Sequence, residues 1–285
     1  GAIYQGLKDY EKALEYQNKA VVIFEEILSD DNATLGIMYN NISDTYQNLK
    51  DFDKSIVYQR KCVKIIQKTL PKTHPYQQRF FNNLLTRYFY RGQNFYYNAD
   101  FKSALTDFEF IHENVDSSYK DYHQVWKLTG LCYYQLGNYS EAIEAYSQEG
   151  KYTFDQKGKD YFSNLGLAYT KNNQFDEARV AFTKYEELYP DSAISYRNWA
   201  VYYGMQNNSE KALIFLRKAI DLGYKDNQWL EKEESLNFLR KEEEFLTIQN
   251  KLRKKVSGKI NLFSILIIVF TLSLVLIIII QKQKS

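Results

Sequence analysis

The sequence predicts an all-α chain built from stacked helix pairs, an α-solenoid. Three observations carry this. First, a pattern of small and aromatic residues recurs. Trp126, Gly130, Tyr133, Gly137, Tyr139, Ala142 and Tyr146 are followed 36 residues later by Gly166, Tyr169, Phe175, Ala178 and Phe182, and Pro190 closes the second copy. Second, the small residue of the second helix can be followed along the chain as Ala13, Ser55, Ala104, Ala142, Ala178 and Ala212, at spacings of 42, 49, 38, 36 and 34. Third, 3 Pro and 12 Gly in 285 residues leave little material for linkers, while 26 Tyr suit helix packing. One such helix pair cannot bury its apolar face alone, so neighbouring pairs must stack.

The string W-x3-G-x2-Y-x3-G-x-Y-x2-A-x3-Y, running from Trp126 to Tyr146, resembles the tetratricopeptide repeat. The resemblance implies a right-handed superhelix of about six helix pairs plus capping helices, with the first helix of each pair lining a concave groove.

In order, unit one is incomplete: Gly1, Tyr4, Tyr10, Ala13 and Ala20 fit the pattern, so half of a first helix is absent and the N-terminus reads as cut. Unit two runs from Gly36 to Leu70, with Tyr46, Phe52, Ser55 and Cys62 at marked positions. Its period of 42, the string Leu70-Pro71-Lys72-Thr73-His74-Pro75 and the pairs Asn40-Asn41 and Asn82-Asn83 resemble the kinesin light chain type of the repeat over roughly residues 1 to 90.

Unit three carries about seven extra residues between Tyr88 and Ala104. Seven residues is close to two helical turns, so a lengthened first helix would keep its face in register. The alternative is a loop around Arg91-Gly92-Gln93-Asn94. Units four and five are the strong pair above. Unit six has Tyr196, Trp199, Tyr203, Ala212 and Ala219.

A repeat array needs a terminal unit with one polar face. Trp229, Leu230, Leu236, Leu239, Phe245 and Leu252, set among Glu and Lys, supply it. This run is similar to the closing segment of many bacterial arrays. The acidic clusters Glu231, Glu233, Glu234 and Glu242, Glu243, Glu244 read as a solvated face, because no partner groups for acid–base chemistry accompany them.

Lys251, Arg253, Lys254, Lys255 and Lys259 then precede Leu262 to Ile280, 19 residues in which only Ser264, Thr271 and Ser273 are polar. As a helix this stretch spans roughly 28 Å, near the hydrocarbon thickness, and predicts one C-terminal transmembrane helix. The organisation expected is therefore 1–225 repeat array, 226–259 cap and basic juxtamembrane segment, 260–280 membrane helix and 281–285 short basic tail. Charge counting around the span puts the array in the cytoplasm. The resemblance to bacterial sensor regions puts it in the periplasm.

The net charge of +2 and the lack of a basic stripe interleaved with aromatics argue against nucleic acid as a partner of this portion. No glycine-rich phosphate loop, metal-ligand spacing or nucleophile–base arrangement occurs, so neither an enzyme nor a cofactor is predicted. Cys62 and Cys132 sit at apolar positions and read as small buried residues. His74 reads as a loop residue, His112 and His123 as surface or edge residues.

Carried onto this sequence, the family's groove positions are Asn40, Asn41, Asp44, Gln47 and Asn48 in unit two and Asn82, Asn83, Thr86, Phe89 and Tyr90 in unit three. Units four to six contribute Gln124, Lys127, Leu131, Tyr134 and Gln135, then Asp160, Ser163, Leu167, Thr170 and Lys171, then Arg197, Val201, Gly204 and Met205. Such amide and hydroxyl side chains suit the backbone of an extended peptide. The other reading of Asn41 and Asn83 is that they satisfy neighbouring helix ends. Lys127 matches one position of the family's carboxylate clamp, but Leu131 stands where an Asn is needed. The partners expected are a peptide or protein segment and the lipid bilayer, with a possible output domain beyond Ser285. The role implied is the interaction or sensor region of a bacterial signalling protein; the alternative is a tail-anchored adaptor on a eukaryotic organelle.

Overall fold

The computed structural model describes residues 1–28, 32–115, 122–152 and 160–253, and all regular structure among them is helical. The expected membrane helix and tail lie outside the described residues. Among the described residues, no helix is long and apolar enough to cross a membrane. The chain divides into two compact units, Gly1–Lys157 and Gly158–Ser285.

Unit 1 holds four helix pairs: α1 (Ala2–Gly6) with α2 (Tyr10–Ile27), α3 (Ala33–Asn48) with α4 (Phe52–Thr69), α5 (Pro75–Tyr97) with α6 (Phe101–Asn114), and α7 (Tyr122–Gln135) with α8 (Tyr139–Tyr152). Unit 2 holds α9 (Tyr161–Lys171) with α10 (Phe175–Leu188) and α11 (Ala193–Met205) with α12 (Ser209–Asp221). It closes with α13 (Asn227–Lys232), a 3₁₀ helix (Glu234–Leu239) and a last helix over 243–253.

Each pair turns in the same way. Lys8, Lys50, Ala99, Gly137, Asn173 and Asn207 all have positive φ, and each stands five residues before the marker Ala13, Ser55, Ala104, Ala142, Ala178 or Ala212. Glycine adopts that backbone freely and Asn readily, so Lys8, Lys50 and Ala99 carry the strain, about 1 kcal/mol each. The next residue caps the second helix. Asp9, Asp51, Asp100 and Asn208 accept backbone N–H groups from Lys12, Lys54, Ser103 and Lys211.

The two helices of a pair meet at a notch. A Cβ on Gly130 would lie 2.5 Å from the Tyr146 ring, and one on Gly92 would lie 2.7 Å from the Phe108 ring. Gly166 meets Phe182 in the same manner. The glycine stands twelve residues before the marker and sixteen before the ring in all three pairs. In the second pair the notch is polar: Ser43 Oγ lies 2.8 Å from the Ser55 carbonyl and Ser55 Oγ lies 2.9 Å from the Ser43 carbonyl. Gln59 replaces the ring, fully buried, and donates to the Phe80 carbonyl of the next pair at 3.0 Å.

α5 settles the question of the extra residues. It is one continuous helix of 23 residues, and no loop interrupts it at Arg91-Gly92-Gln93-Asn94. Its first half packs in register with α3, where Asn83 meets Asn40. Its second half packs in register with α6, where Gly92 receives Phe108. His74 caps its start, the ring Nδ1 accepting from the Tyr76 N–H at 3.1 Å, with Pro75 at the first helical position.

Cys62 and Cys132 are fully buried free thiols, and burial pushes both up to about 12. His112 is not a surface residue. It lies between α6 and α7 with its ring 3.7 Å from that of Trp126, because the aromatic face of α7 turns onto α6. Among the acidic residues expected on a solvated face, Glu233 is also placed otherwise. Its carboxylate is nine-tenths buried and pairs with Lys171 at 2.5 Å.

Leu230, Leu236, Leu239, Phe245 and Leu252 bury against Ala212, Leu213, Leu216 and Ile220 in one core; Trp229 is only half-buried.

Candidate functional site

In unit 1 the first helices α3, α5 and α7 place the predicted groove residues. Asn40 and Asn83 form a ladder between α3 and α5. Asn83 Nδ2 donates to Asn40 Oδ1 at 2.9 Å, and Asn40 Nδ2 donates to Asp44 Oδ2 at 3.1 Å. Below it, the buried Arg87 donates from Nε to Ser43 Oγ at 3.1 Å and pairs with Asp44. Burial raises the Asp44 carboxyl above the usual range, against the pull of the Arg87 guanidinium.

Asn41 has an exposed side chain, while its carbonyl accepts from Gln5 and Gln17 at 3.2 Å each. Asn82 accepts from Gln78 at 2.8 Å, and its carbonyl accepts from the Thr86 hydroxyl at 2.9 Å. Gln47 keeps a buried Oε1 without a hydrogen-bond partner. Thus Asn41, Asp44 and Gln47 on α3 and Asn82 and Thr86 on α5 form a polar row beside the Asn40–Asn83 and Arg87–Asp44 contacts that link the two helices. Lys127 and Tyr134 follow on α7, both half-buried, with Tyr134 edge-on to Tyr139 at 5.4 Å.

Two groups depart from expectation. Phe89 is not a groove residue: it is 7% exposed and packs on Phe108 at 6.5 Å. The two extra turns of α5 move the register between Asn83 and Gly92, so Phe89 falls on the core side of the second half.

In unit 2, Ser163, Thr170 and Arg197 do not line an open groove. Ser163 Oγ accepts from the buried Asn198 at 2.8 Å, the counterpart of the Asn83–Asn40 contact. Thr170 is fully buried and turns its hydroxyl to the Gly166 carbonyl of its own helix at 2.8 Å. Arg197 lies beneath Trp229, guanidinium carbon 5.2 Å from the ring centre. The closing segment covers this side. Arg87 and Ser43 were missed by sequence reasoning, although Ser43 stands twelve residues before Ser55, as Gly130 does before Ala142.

Helix pairs joined by one repeated turn and one repeated notch, with polar first helices, define a repeat solenoid that offers a binding surface. This chain is a tetratricopeptide-repeat protein. Family models of the tetratricopeptide repeat match residues 1–68, 91–154 and 160–192. Its fold is similar to that of YrrB, described as a TPR protein with an unusual peptide-binding site, at TM-score 0.51 and 19% identity, covering 74% of this chain and 93% of that one. It is similar also to the C-terminal part of a TPR repeat-containing protein from Cytophaga hutchinsonii, at TM-score 0.54 and 18% identity, covering 87% of this chain and 90% of that one. No curated protein matches the sequence. Proteins of this repeat are generally scaffolds for peptide or protein partners rather than enzymes. Among the described residues, no group of three His, Cys, Asp or Glu side chains could hold a metal ion.

Proposed function

We propose that unit 1 binds an extended peptide or protein segment along α3, α5 and α7, and that the chain is a membrane-anchored scaffold, the interaction or sensor region of a bacterial signalling protein. The observation that carries the binding role is the polar row Asn41, Asp44, Gln47, Asn82 and Thr86, held at fixed spacing by the Asn40–Asn83 ladder. Carboxamides in such a row offer donors and acceptors to a guest backbone. YrrB, of the same fold, is described as carrying a peptide-binding site.

Asn41→Ala with Asn82→Ala removes two amides and leaves the ladder intact. The double variant is expected to bind the partner segment about tenfold more weakly, with its helical circular dichroism unchanged. Equal affinity, measured by calorimetry on a partner captured by the full chain, would remove the row from the site.

The anchoring part of the proposal rests on the apolar run Leu262 to Ile280. Carbonate washing of membranes at high pH should leave the full chain in the pellet; release into the supernatant would exclude a span. The basic residues ahead of the span favour a cytoplasmic array, whereas a sensor role favours the periplasm. A reporter fused after Ser285 reads the orientation directly.

A further inference from the structure

The seven extra residues of α5 give one face of that helix two exposed aromatic positions instead of one. Along α5, Asn83 and Arg87 turn towards α3, while Phe89 and Gly92 turn towards α6. Between those two directions lie Asn82, Thr86, Tyr90, Gln93 and Tyr97, within about 80° of one another around the helix. They form a stripe that begins in the polar row and runs to the end of α5. Its second half is aromatic. Tyr90 is 42% exposed and Tyr97 73% exposed, although Gly92, Phe95 and Tyr96 between them pack inward. Each ring is held edge-on by a neighbour turned into the core, Tyr90 by Phe89 at 5.7 Å and Tyr97 by Tyr96 at 5.5 Å.

Two helical turns separate the exposed rings, about 10 Å along the axis. A polyproline II helix advances about 9 Å in three residues, so prolines at i and i+3 meet successive tyrosines. Proline suits such a stripe. It has no N–H to leave unsatisfied, its ring packs on an aromatic face, and its segment loses little freedom on binding. The carbonyls of that segment are acceptors for the Asn82 and Gln93 carboxamides beside the rings. α5 carries no Asp or Glu, and Arg79 stands exposed on the same stripe. The stripe therefore favours a neutral or acidic guest over a basic one.

We propose that α5 is a docking strip for a neutral to acidic segment with prolines three residues apart, seated on Tyr90 and Tyr97. This names the guest of the groove in unit 1 and rests on that reading.

The probe is a fluorescein-labelled nonaproline with two glutamates at one end, read by anisotropy on the full chain in detergent. Nine prolines span about 28 Å, close to the length of the stripe from Arg79 to Tyr97. Tyr90→Ala and Tyr97→Ala are each expected to weaken binding about tenfold, and Tyr97→Phe to stay within about threefold of the unaltered chain. Both rings are exposed, so helical circular dichroism should not change. A proline-free peptide of Leu and Gln should bind at least about tenfold more weakly than the probe, and a probe with two lysines in place of the glutamates about threefold more weakly at low salt. No binding of the probe, equal binding of either control, or alanine variants that bind like the unaltered chain overturns the proposal. If an alanine variant loses helicity, Tyr97→Gln is read in its place with the same loss expected. The two readings fail separately: the polar row is judged on the captured partner with Asn41 and Asn82 replaced, the guest class on nonaproline with the tyrosines replaced.

Discussion

Replacing Tyr146 with alanine is expected to lower the stability of unit 1 by about 3–5 kcal/mol, the range for emptying a large aromatic site in a packed core. The ring is 1% exposed and fills the notch left by Gly130, whose missing Cβ would lie 2.5 Å from it. Its loss leaves α7 and α8 facing across a void, and backbones so close together cannot collapse further to fill it. Tyr146→Phe should cost less than about 1 kcal/mol, since Phe108 and Phe182 fill the same site in other pairs. The reverse change tests the same contact. Gly130→Ala gains about 1 kcal/mol of helix propensity but drives a methyl into the ring, so it should destabilise overall. Gly6→Ala meets nothing within 4 Å and should not. Urea midpoints of the four variants check the series. A loss below 1 kcal/mol for Tyr146→Ala would mean that the notch is not a packing centre.

Acidification is expected to weaken unit 1 through His112 by roughly 2–3 kcal/mol between pH 6.5 and pH 4. Thr129 Oγ1 donates to the Val125 carbonyl at 2.8 Å, so it accepts from His112 Nε2–H at 3.0 Å. That fixes the neutral tautomer, with Nδ1 towards the Tyr122 hydroxyl at 3.4 Å and the ring stacked on Trp126. Burial lowers the imidazole to about 4. Unfolded, the ring binds a proton near pH 6.5; folded, it refuses one until about pH 4. Across that window the unfolded chain holds more protons, so stability falls as pH falls. Carboxylates also titrate near the acid end, so the difference from His112→Gln isolates the effect. Parallel denaturation curves of the two proteins from pH 7.5 to 4.5 should diverge below pH 6.5. Curves that stay parallel would place the ring in water.

The repeat architecture was readable because it rests on residues that repeat. Gly130 and Tyr146 recur as Gly166 and Phe182, and six small markers pick out six second helices. The extra residues of unit three were readable as two turns because seven residues restore a helical face. What that reading missed is where the register changes. It extended the early register through Phe89, which the later half of α5 buries against Phe108. The polar notch of Ser43 and Ser55 escaped because serine there does by hydrogen bonding what glycine and alanine do by size. The closing segment was readable from its apolar run, but its contacts with α9 and α11 had no local signal. Lys171 and Glu233 meet 62 residues apart, and no periodicity announces a contact between an array and the segment that ends it.

The length of α5 has one more consequence. Seven added residues advance a helix by about 10 Å and turn it by only about 20°. α6, α7 and α8 are therefore carried outward along α5, facing the way they would without the addition. An insertion or deletion of another seven residues here would slide the same three helices by one further step and preserve every pairing. Five residues would instead swing them through more than a third of a circle and tear Phe108 from its glycine. In this chain, the middle of α5 is a place where length can change by seven residues with little rotation of the helices that follow.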